Sequence, residues 1–82
     1  MKINFSRHAK RRMKLYNIDK NDVIDTLNIY AEDINKKEEE IIELLNTAMS
    51  EKYKYPLKVV CAIENDTVYV ITAYPLKRGR IS

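Results

Sequence analysis

The first hydrophobic pattern along the chain has the period of an α-helix. Ala9, Met13 and Tyr16 fall on one side of such a helix, and no residue from 7 to 16 would break it. Ser6 stands immediately before this stretch, where its hydroxyl can accept a hydrogen bond from a first-turn N–H group. We therefore predict a helix over residues 7–16 with Ser6 as its N-cap.

A second stretch with helical spacing follows at once. Asp19 is a suitable N-cap, and Ile18 and Val23 occupy the two positions that a hydrophobic staple uses. Apolar residues then repeat at helical spacing as far as Ala31, so we predict an amphipathic helix over residues 20–31.

The middle of the chain fits two structures. Apolar residues over 36–52 have helical spacing, and Asn35 followed by Glu38 resembles a capping box, which favours a third helix. The alternative is a short strand over residues 40–45 followed by a loop. Close by, cationic and aromatic side chains alternate in Lys52-Tyr53-Lys54-Tyr55. This alternation suits either stacking on nucleic-acid bases or a strand edge with half-buried tyrosines.

Towards the end of the chain, the hydrophobic period becomes that of β-strands. Residues 57–63 and 68–74 are rich in β-branched and aromatic side chains, and the polar residues 64–67 between them are typical of a tight turn. These runs predict a β-hairpin that ends at Pro75. Because both runs are apolar on both faces, we expect the hairpin at the centre of a slightly larger sheet, to which residues 1–4 either add a short strand or form a lead-in. The predicted fold class is α+β.

Charged residues are segregated along the chain. Residues 1–20 hold seven Lys or Arg against one acid, residues 21–51 hold two against nine, and residues 52–82 hold six against two, within a formal net charge of +3. If the two basic ends meet in the fold, they form a positive surface, which favours phosphate backbones through release of counterions. An ordinary lysine-rich surface exposed to solvent would have the same composition.

Length and composition exclude several classes of protein. An 82-residue chain supports one domain, residues 1–82, with a modest core and no separate cofactor domain. The sequence shows no apolar run of membrane length and no targeting segment, so we expect a cytoplasmic protein with no membrane partner. Cys61 lies in an apolar run, which favours a small buried residue over a reactive thiol. One His and one Cys cannot form a typical zinc site, and we expect no metal and no cofactor.

The most distinctive chemistry lies at the start of the first predicted helix. The single histidine, His8, shares a helix face with Arg11 and Arg12, and Arg7 precedes it. Histidine is the side chain that most readily takes up and gives a proton near neutral pH, and neighbouring cations favour its neutral, basic form. This cluster is a candidate catalytic site for a phosphate-containing substrate. The alternative is a histidine that only caps or packs at the helix start.

Several segments of the sequence resemble the DUF4258 family. They are Phe5-Ser-Arg-His-Ala-Lys-Arg-Arg-Met-Lys-Leu-Tyr-Asn-Ile-Asp, then Asp22-Val-Ile-Asp-Thr-Leu, Tyr55-Pro-Leu-Lys-Val-Val and Val70-Ile-Thr-Ala-Tyr-Pro-Leu-Lys-Arg, in the order expected for that family. Residues 31–54 match poorly. Where relatives often read Arg-Gly-Ile, this chain has Tyr16-Asn17-Ile18.

The resemblance implies both a fold and an activity. The family is grouped with the RelE, colicin and barnase-like endoribonuclease superfamily, which implies two N-terminal helices packed on an antiparallel sheet of about three to four strands. This fold favours the strand over residues 40–45. His8 and Arg12 match the family's helix motif, and Thr72 and Tyr74 match its last full strand. Relatives in the superfamily cleave RNA without a metal ion, and many are toxins inhibited by a partner protein.

We therefore expect a metal-independent endoribonuclease in which a ribose 2′-hydroxyl attacks the adjacent phosphate of RNA. The expected catalytic residues are His8, Arg12 and Tyr74. The expected RNA-binding residues are Arg7, Arg11, Thr72, Lys77, Arg78 and Arg80. An antitoxin protein and a second copy of the chain are further candidate partners. The alternative is a non-catalytic module that binds nucleic acid or a protein.

Overall fold

A β-hairpin forms the centre of the computed structural model, which describes residues 2–77. Its strands β3 (Leu57–Glu64) and β4 (Thr67–Pro75) pair antiparallel, as predicted. The two loop residues, Asn65 and Asp66, have φ angles of 47° and 63°. Positive φ at both central residues is the signature of a type I′ turn, whose twist matches that of the flanking strands.

Two further strands complete the sheet, in the order β1-β4-β3-β2. β2 (Glu40–Asn46) is antiparallel to β3, and β1 (Lys2–Phe5) is parallel to β4. The predicted α+β class, with N-terminal helices and three to four strands, is confirmed. The expectation of a wholly antiparallel sheet is wrong, because β1 and β4 are joined through the whole length of the chain. No hairpin connection therefore imposes opposite directions on them.

Of the two structures considered for the middle of the chain, the strand over residues 40–45 is confirmed as β2, and the third helix over residues 36–52 is wrong. All seven residues of β2 pair with β3, from Glu40 opposite Ile63 to Asn46 opposite Leu57. β3 offers backbone partners along its full length, and this long-range pairing outweighs the helical spacing of the apolar residues. After β2 come a 3₁₀ turn (Thr47–Met49) and a short helix, α4 (Ser50–Tyr53), in place of a loop.

The helices pack on one face of the sheet. Helix α1 (Arg7–Leu15) agrees with its prediction, whereas the helix expected over residues 20–31 is divided into α2 (Lys20–Ile29) and α3 (Ala31–Asn35). Tyr30 lies at the break, and its hydroxyl donates a 2.7 Å hydrogen bond to the carbonyl of Leu45 on β2. No helix within the described residues is long and apolar enough to cross a membrane.

The core lies between the helices and the sheet. Side chains alternate along β3, so that Leu57, Val59, Cys61 and Ile63 are buried against the helices. The other buried apolar side chains come from every helix except α4, from the loop after α1, and from β2 and β4; they are Ala9, Met13, Ile18, Val23, Leu27, Ile34, Leu44, Val68, Val70 and Ala73. The prediction that Cys61 is a small buried residue is confirmed. Burial raises the pKa of its thiol to about 11.

Helix α1 ends in a Schellman motif. The N–H of Ile18 donates to the carbonyl of Met13 at 2.8 Å, and the N–H of Asn17 donates to that of Lys14 at 3.3 Å. Asn17 has a φ of 58°, a left-handed conformation that asparagine tolerates better than other residues with a side chain. Glycine is the usual residue at this position of the motif. Ile18 and Met13 are both buried, as the apolar contact of this motif requires.

The conformation of Asn17 predicts a stability difference between two substitutions. Asn17→Ala should lower the free energy of unfolding by about 1 kcal/mol, because alanine is strained at positive φ, whereas Asn17→Gly should cost nothing or stabilise slightly. Urea denaturation of both variants measures the difference. Asn28→Ala, at an exposed position within α2, is the control and should not destabilise. Equal effects of Ala and Gly at position 17 would contradict this explanation.

Candidate functional site

Helix α1 is anchored to β4 by the backbone and side chain of one residue. The N–H of Ser6 donates to the carbonyl of Val70 at 3.0 Å, and the Ser6 hydroxyl donates to the carbonyl of Ile71 at 2.9 Å. The same hydroxyl accepts the N–H of Ala9 at 3.0 Å, so the predicted N-cap is confirmed. The register of β3 and β4 slips at this point, which makes Ile71 the extra residue of a β-bulge. The start of α1 is therefore held at the bulge.

Further along, the same helix lies beside the end of β4. The guanidinium carbon of Arg12 lies 5.4 Å from the centre of the Tyr74 ring, which is a cation–π contact. Arg12 is half-buried, so its charge is held in place more firmly than that of an ordinary surface arginine. Two of the three residues predicted to be catalytic are thus brought together by the fold.

The third predicted catalytic residue, His8, lies one helical turn before Arg12. It is exposed and makes no hydrogen bond within residues 2–77. Ser6, and not His8, caps the helix. The imidazole is therefore accessible to a ligand on the same face of α1 as Arg12.

Most of the exposed surface of α1 is cationic. The helix has no acidic residue in its first turn, and an open hollow of about 450 Å³ on its surface is lined by His8, Arg11, Arg12, Lys14 and Leu15. Arg7 is exposed on the first turn, and Leu15 is 72% exposed. Cations near a helix start oppose the helix dipole. A bound anion would relieve this unfavourable interaction.

Thr72 and Tyr74 lie on the outer face of the sheet, opposite the core. Thr72 pairs with Val60 and Tyr74 pairs with Lys58, whereas Ala73 between them is buried under the helices. The hydroxyl oxygen of Thr72 is buried and has no hydrogen-bond partner within the described part of the chain. A buried hydroxyl without a partner is uncommon in folded proteins.

The remaining predicted RNA contacts lie beyond β4. Lys77 is exposed, with its Nζ 5.9 Å from the centre of the Tyr55 ring. Arg78 and Arg80 lie outside the described residues. Within the described residues, the candidate site is therefore formed by α1 and the second half of β4.

Sequence reasoning missed two charged residues on the outer face of the sheet. Lys58 stands directly opposite Tyr74, and the Nζ of Lys58 lies 2.8 Å from Oε1 of Glu43 on β2. The hydrogen bond to Glu43 is the main cause of a raised pKa at Lys58, and the neighbouring Tyr74 contributes. The alternation of side chains along the two strands of the predicted hairpin could have placed Lys58 beside Tyr74. Glu43 could be placed only after residues 40–45 were recognised as a strand.

A second polar cluster joins α2 to α4. Lys52 Nζ lies 2.7 Å from Asp22 Oδ2 and 2.9 Å from Asp19 Oδ2, and the Tyr53 hydroxyl donates to Asp22. Hydrogen bonds from Lys52 and then Tyr53 lower the pKa of Asp22, which is almost buried. The side chain of Asp19 makes no capping bond, which corrects its predicted role. Because Tyr53 belongs to a helix, the strand-edge interpretation of it is wrong.

No three His, Cys, Asp or Glu side chains within residues 2–77 are grouped so that they could hold a metal ion. The buried Cys61 thiol lies in the core, away from the surface formed by α1.

One protein-family model matches this chain. It is described as "Domain of unknown function (DUF4258)" and covers residues 5–75, from the last residue of β1 to the end of β4. The match includes residues 31–54, which lie between the segments that resemble the family most. No curated protein and no solved structure matches the chain.

The Asp22 cluster predicts a pH-dependent stability. Asp22→Asn should lower the free energy of unfolding by about 1–3 kcal/mol at pH 7, because it removes charged hydrogen bonds from Lys52 and Tyr53. Since folding lowers the pKa of Asp22 from its ordinary value of 3.8, this contribution is complete above about pH 4 and is lost as the pH falls through the folded-state pKa.

Urea unfolding of the wild type and Asp22→Asn between pH 2 and pH 7 measures this contribution. The gap between the two proteins should close below about pH 4. Asp25→Asn, on an exposed part of α2, is the matched control and should change stability by no more than about 0.5 kcal/mol. A gap that stays constant over the whole range would contradict the assigned role of the carboxylate.

Proposed function

The chain belongs to the DUF4258 family, and from this premise and the geometry of α1 and β4 we propose that it is a metal-independent endoribonuclease. The observation that carries the proposal is the Arg12 guanidinium held over the Tyr74 ring, with the exposed imidazole of His8 one turn away. A cation fixed beside a residue able to transfer protons is what phosphoryl transfer requires. The proposal includes the wider grouping with RelE-like, colicin and barnase-like ribonucleases.

In the proposed reaction, the ribose 2′-hydroxyl attacks the adjacent phosphorus. A bond forms between O2′ and phosphorus as the bond from phosphorus to O5′ breaks, so the products are a 2′,3′-cyclic phosphate and a free 5′-hydroxyl. His8 either takes the proton of the 2′-hydroxyl or gives one to the leaving O5′. Arg11 and Arg12 stabilise the negative charge that develops on the phosphorane oxygens. Tyr74 orients the phosphate or shares in the proton transfer.

The cationic residues supply the affinity for RNA. Arg7, Arg11 and Lys77 are exposed and free to reach phosphates on either side of the cleaved bond. Thr72 is proposed as a further RNA contact beside Tyr74. Arg78 and Arg80 belong to the same proposed RNA contact. A cytoplasmic toxin inhibited by an antitoxin protein is the biological setting that fits such an enzyme.

A second candidate function is RNA binding without catalysis. The observation that favours it is that no side chain within the described residues forms a hydrogen bond to His8, whereas an acid or base that acts in catalysis is usually oriented by a neighbour. Binding requires only the cations of α1, which are present in either case.

One substitution separates the two functions. His8→Ala should reduce RNA cleavage by about 10²–10⁴-fold, the usual contribution of a positioned acid or base, and leave RNA affinity nearly unchanged. Because His8 is exposed, the free energy of unfolding should change by no more than about 0.5 kcal/mol. Lys10→Ala, an exposed residue on the same helix, is the control for cleavage.

Arg12→Ala should weaken both binding and cleavage, since this guanidinium contacts the phosphate in either function. Cleavage that is unaffected by His8→Ala would rule out the catalytic role. If Arg12→Ala left both properties intact, this face of α1 would not be the site.

The chemistry of the products gives an independent test. Cleavage of RNA should persist in EDTA, and mass spectrometry of the 5′ fragments should show a terminal 2′,3′-cyclic phosphate, which only attack by the 2′-hydroxyl leaves behind. A 2′-deoxy substitution at the cleaved position should abolish the reaction. Loss of activity in EDTA with recovery in magnesium would overturn the metal-independent mechanism.

A further inference from the structure

A row of charged and aromatic side chains crosses the outer face of the sheet beside the proposed site. Lys58 on β3 stands opposite Tyr74 on β4, and side chains directly opposite on antiparallel strands lie about 5 Å apart at their Cβ atoms. Arg12 covers the Tyr74 ring from α1, and Glu43 on β2 contacts Lys58 from the other side. Two cations therefore flank one phenol.

Lys58 differs from the other lysines near the site. Its side chain is only 22% exposed, and its ammonium group is directed to one carboxylate. That partner, Glu43, is 64% exposed and belongs to an edge strand. Ion pairs with such an exposed partner are weak, because water competes for the carboxylate. A phosphodiester of RNA carries the same single negative charge as a carboxylate and also presents two strong acceptor oxygens, so it can take the place of Glu43 at the ammonium group. The summed charge of an RNA strand, held at the same time by the cations of α1, favours this exchange.

We infer that Lys58 is a second phosphate-binding cation of this site, held by Glu43 until the phosphate of an RNA strand displaces that carboxylate. The bound phosphate then lies over Tyr74 between Lys58 and the guanidinium of Arg12. This role rests on the proposed function in that its ligand is RNA, but it concerns binding and does not require cleavage. Glu43 is a positioning residue that competes with the ligand, so its removal strengthens binding.

Two substitutions with opposite effects test this inference. The probe is a short single-stranded RNA in which every ribose is 2′-O-methylated, so that it binds but is not cleaved. Lys58→Met should weaken binding roughly tenfold at low salt and reduce the slope of log K against log salt by about 0.7, the share of one phosphate contact. Glu43→Gln should strengthen binding by about two- to fivefold, because it releases Lys58.

Matched controls separate this effect from a general change in charge. Glu64→Gln removes the same charge from the same face of the sheet, at the other end of β3 and roughly 20 Å from Lys58, and should leave affinity unchanged at physiological salt. Lys36→Met, at an exposed position after α3, should leave the salt slope unchanged. In the double variant Lys58→Met, Glu43→Gln, the gain from Glu43→Gln should disappear, since it acts through Lys58.

The outcomes distinguish this inference from the proposed function. If unmodified RNA is cleaved but Lys58→Met and Glu43→Gln leave affinity unchanged, the role of Lys58 is overturned and the nuclease stands. If both variants shift affinity as expected but no cleavage occurs, Lys58 is supported and the nuclease is overturned. A gain from Glu43→Gln that persists without Lys58 would show a general charge effect and overturn the displacement mechanism.

Discussion

The attachment of Ser6 to the bulge in β4 is the interaction on which the candidate site depends. One hydroxyl caps α1 and at the same time bonds to Ile71, while the Ser6 N–H continues the pairing of β1 with β4. Two hydrogen bonds thereby tie Ser6 to the sheet, and a third joins Ser6 to the first turn of the helix. The direction of α1 along β4 follows from this junction and from burial of Ala9 and Met13, and it brings Arg12 to Tyr74.

The charges of α1 affect the two ends of the helix differently. Arg7 lies at the positive end of the helix dipole with no acid in the first turn to offset it, whereas Arg12 and Lys14 lie in the last turn, where cations are favourable. The stability of α1 must then come from its buried side chains and its caps, which are the N-cap and the Schellman motif.

The middle of the chain is held by a separate polar network. Asp22 joins α2 to α4 through Lys52 and Tyr53, and the Thr26 hydroxyl, bonded to the Asp22 carbonyl, accepts a hydrogen bond from Asn46 at the end of β2. This network fixes β2 against α2 and so keeps Glu43 and Lys58 in register on the far side of the sheet. Different contacts therefore hold the acidic middle segment and the cationic surface of α1 in place.

Local patterns were sufficient for the elements whose residues interact with near neighbours. The Ser6 cap, helix α1 and the hairpin could all be predicted, because capping, helical spacing and turn chemistry act within a few residues. Long-range pairing determined the rest. β2 forms because β3 offers it a partner, β1 is parallel because no hairpin joins it to β4, and Asp19 binds Lys52 because α4 packs beside α2. Lys58 and Glu43 meet through the register of three strands, and this register is set by burial across the whole sheet, which no single segment of the sequence contains.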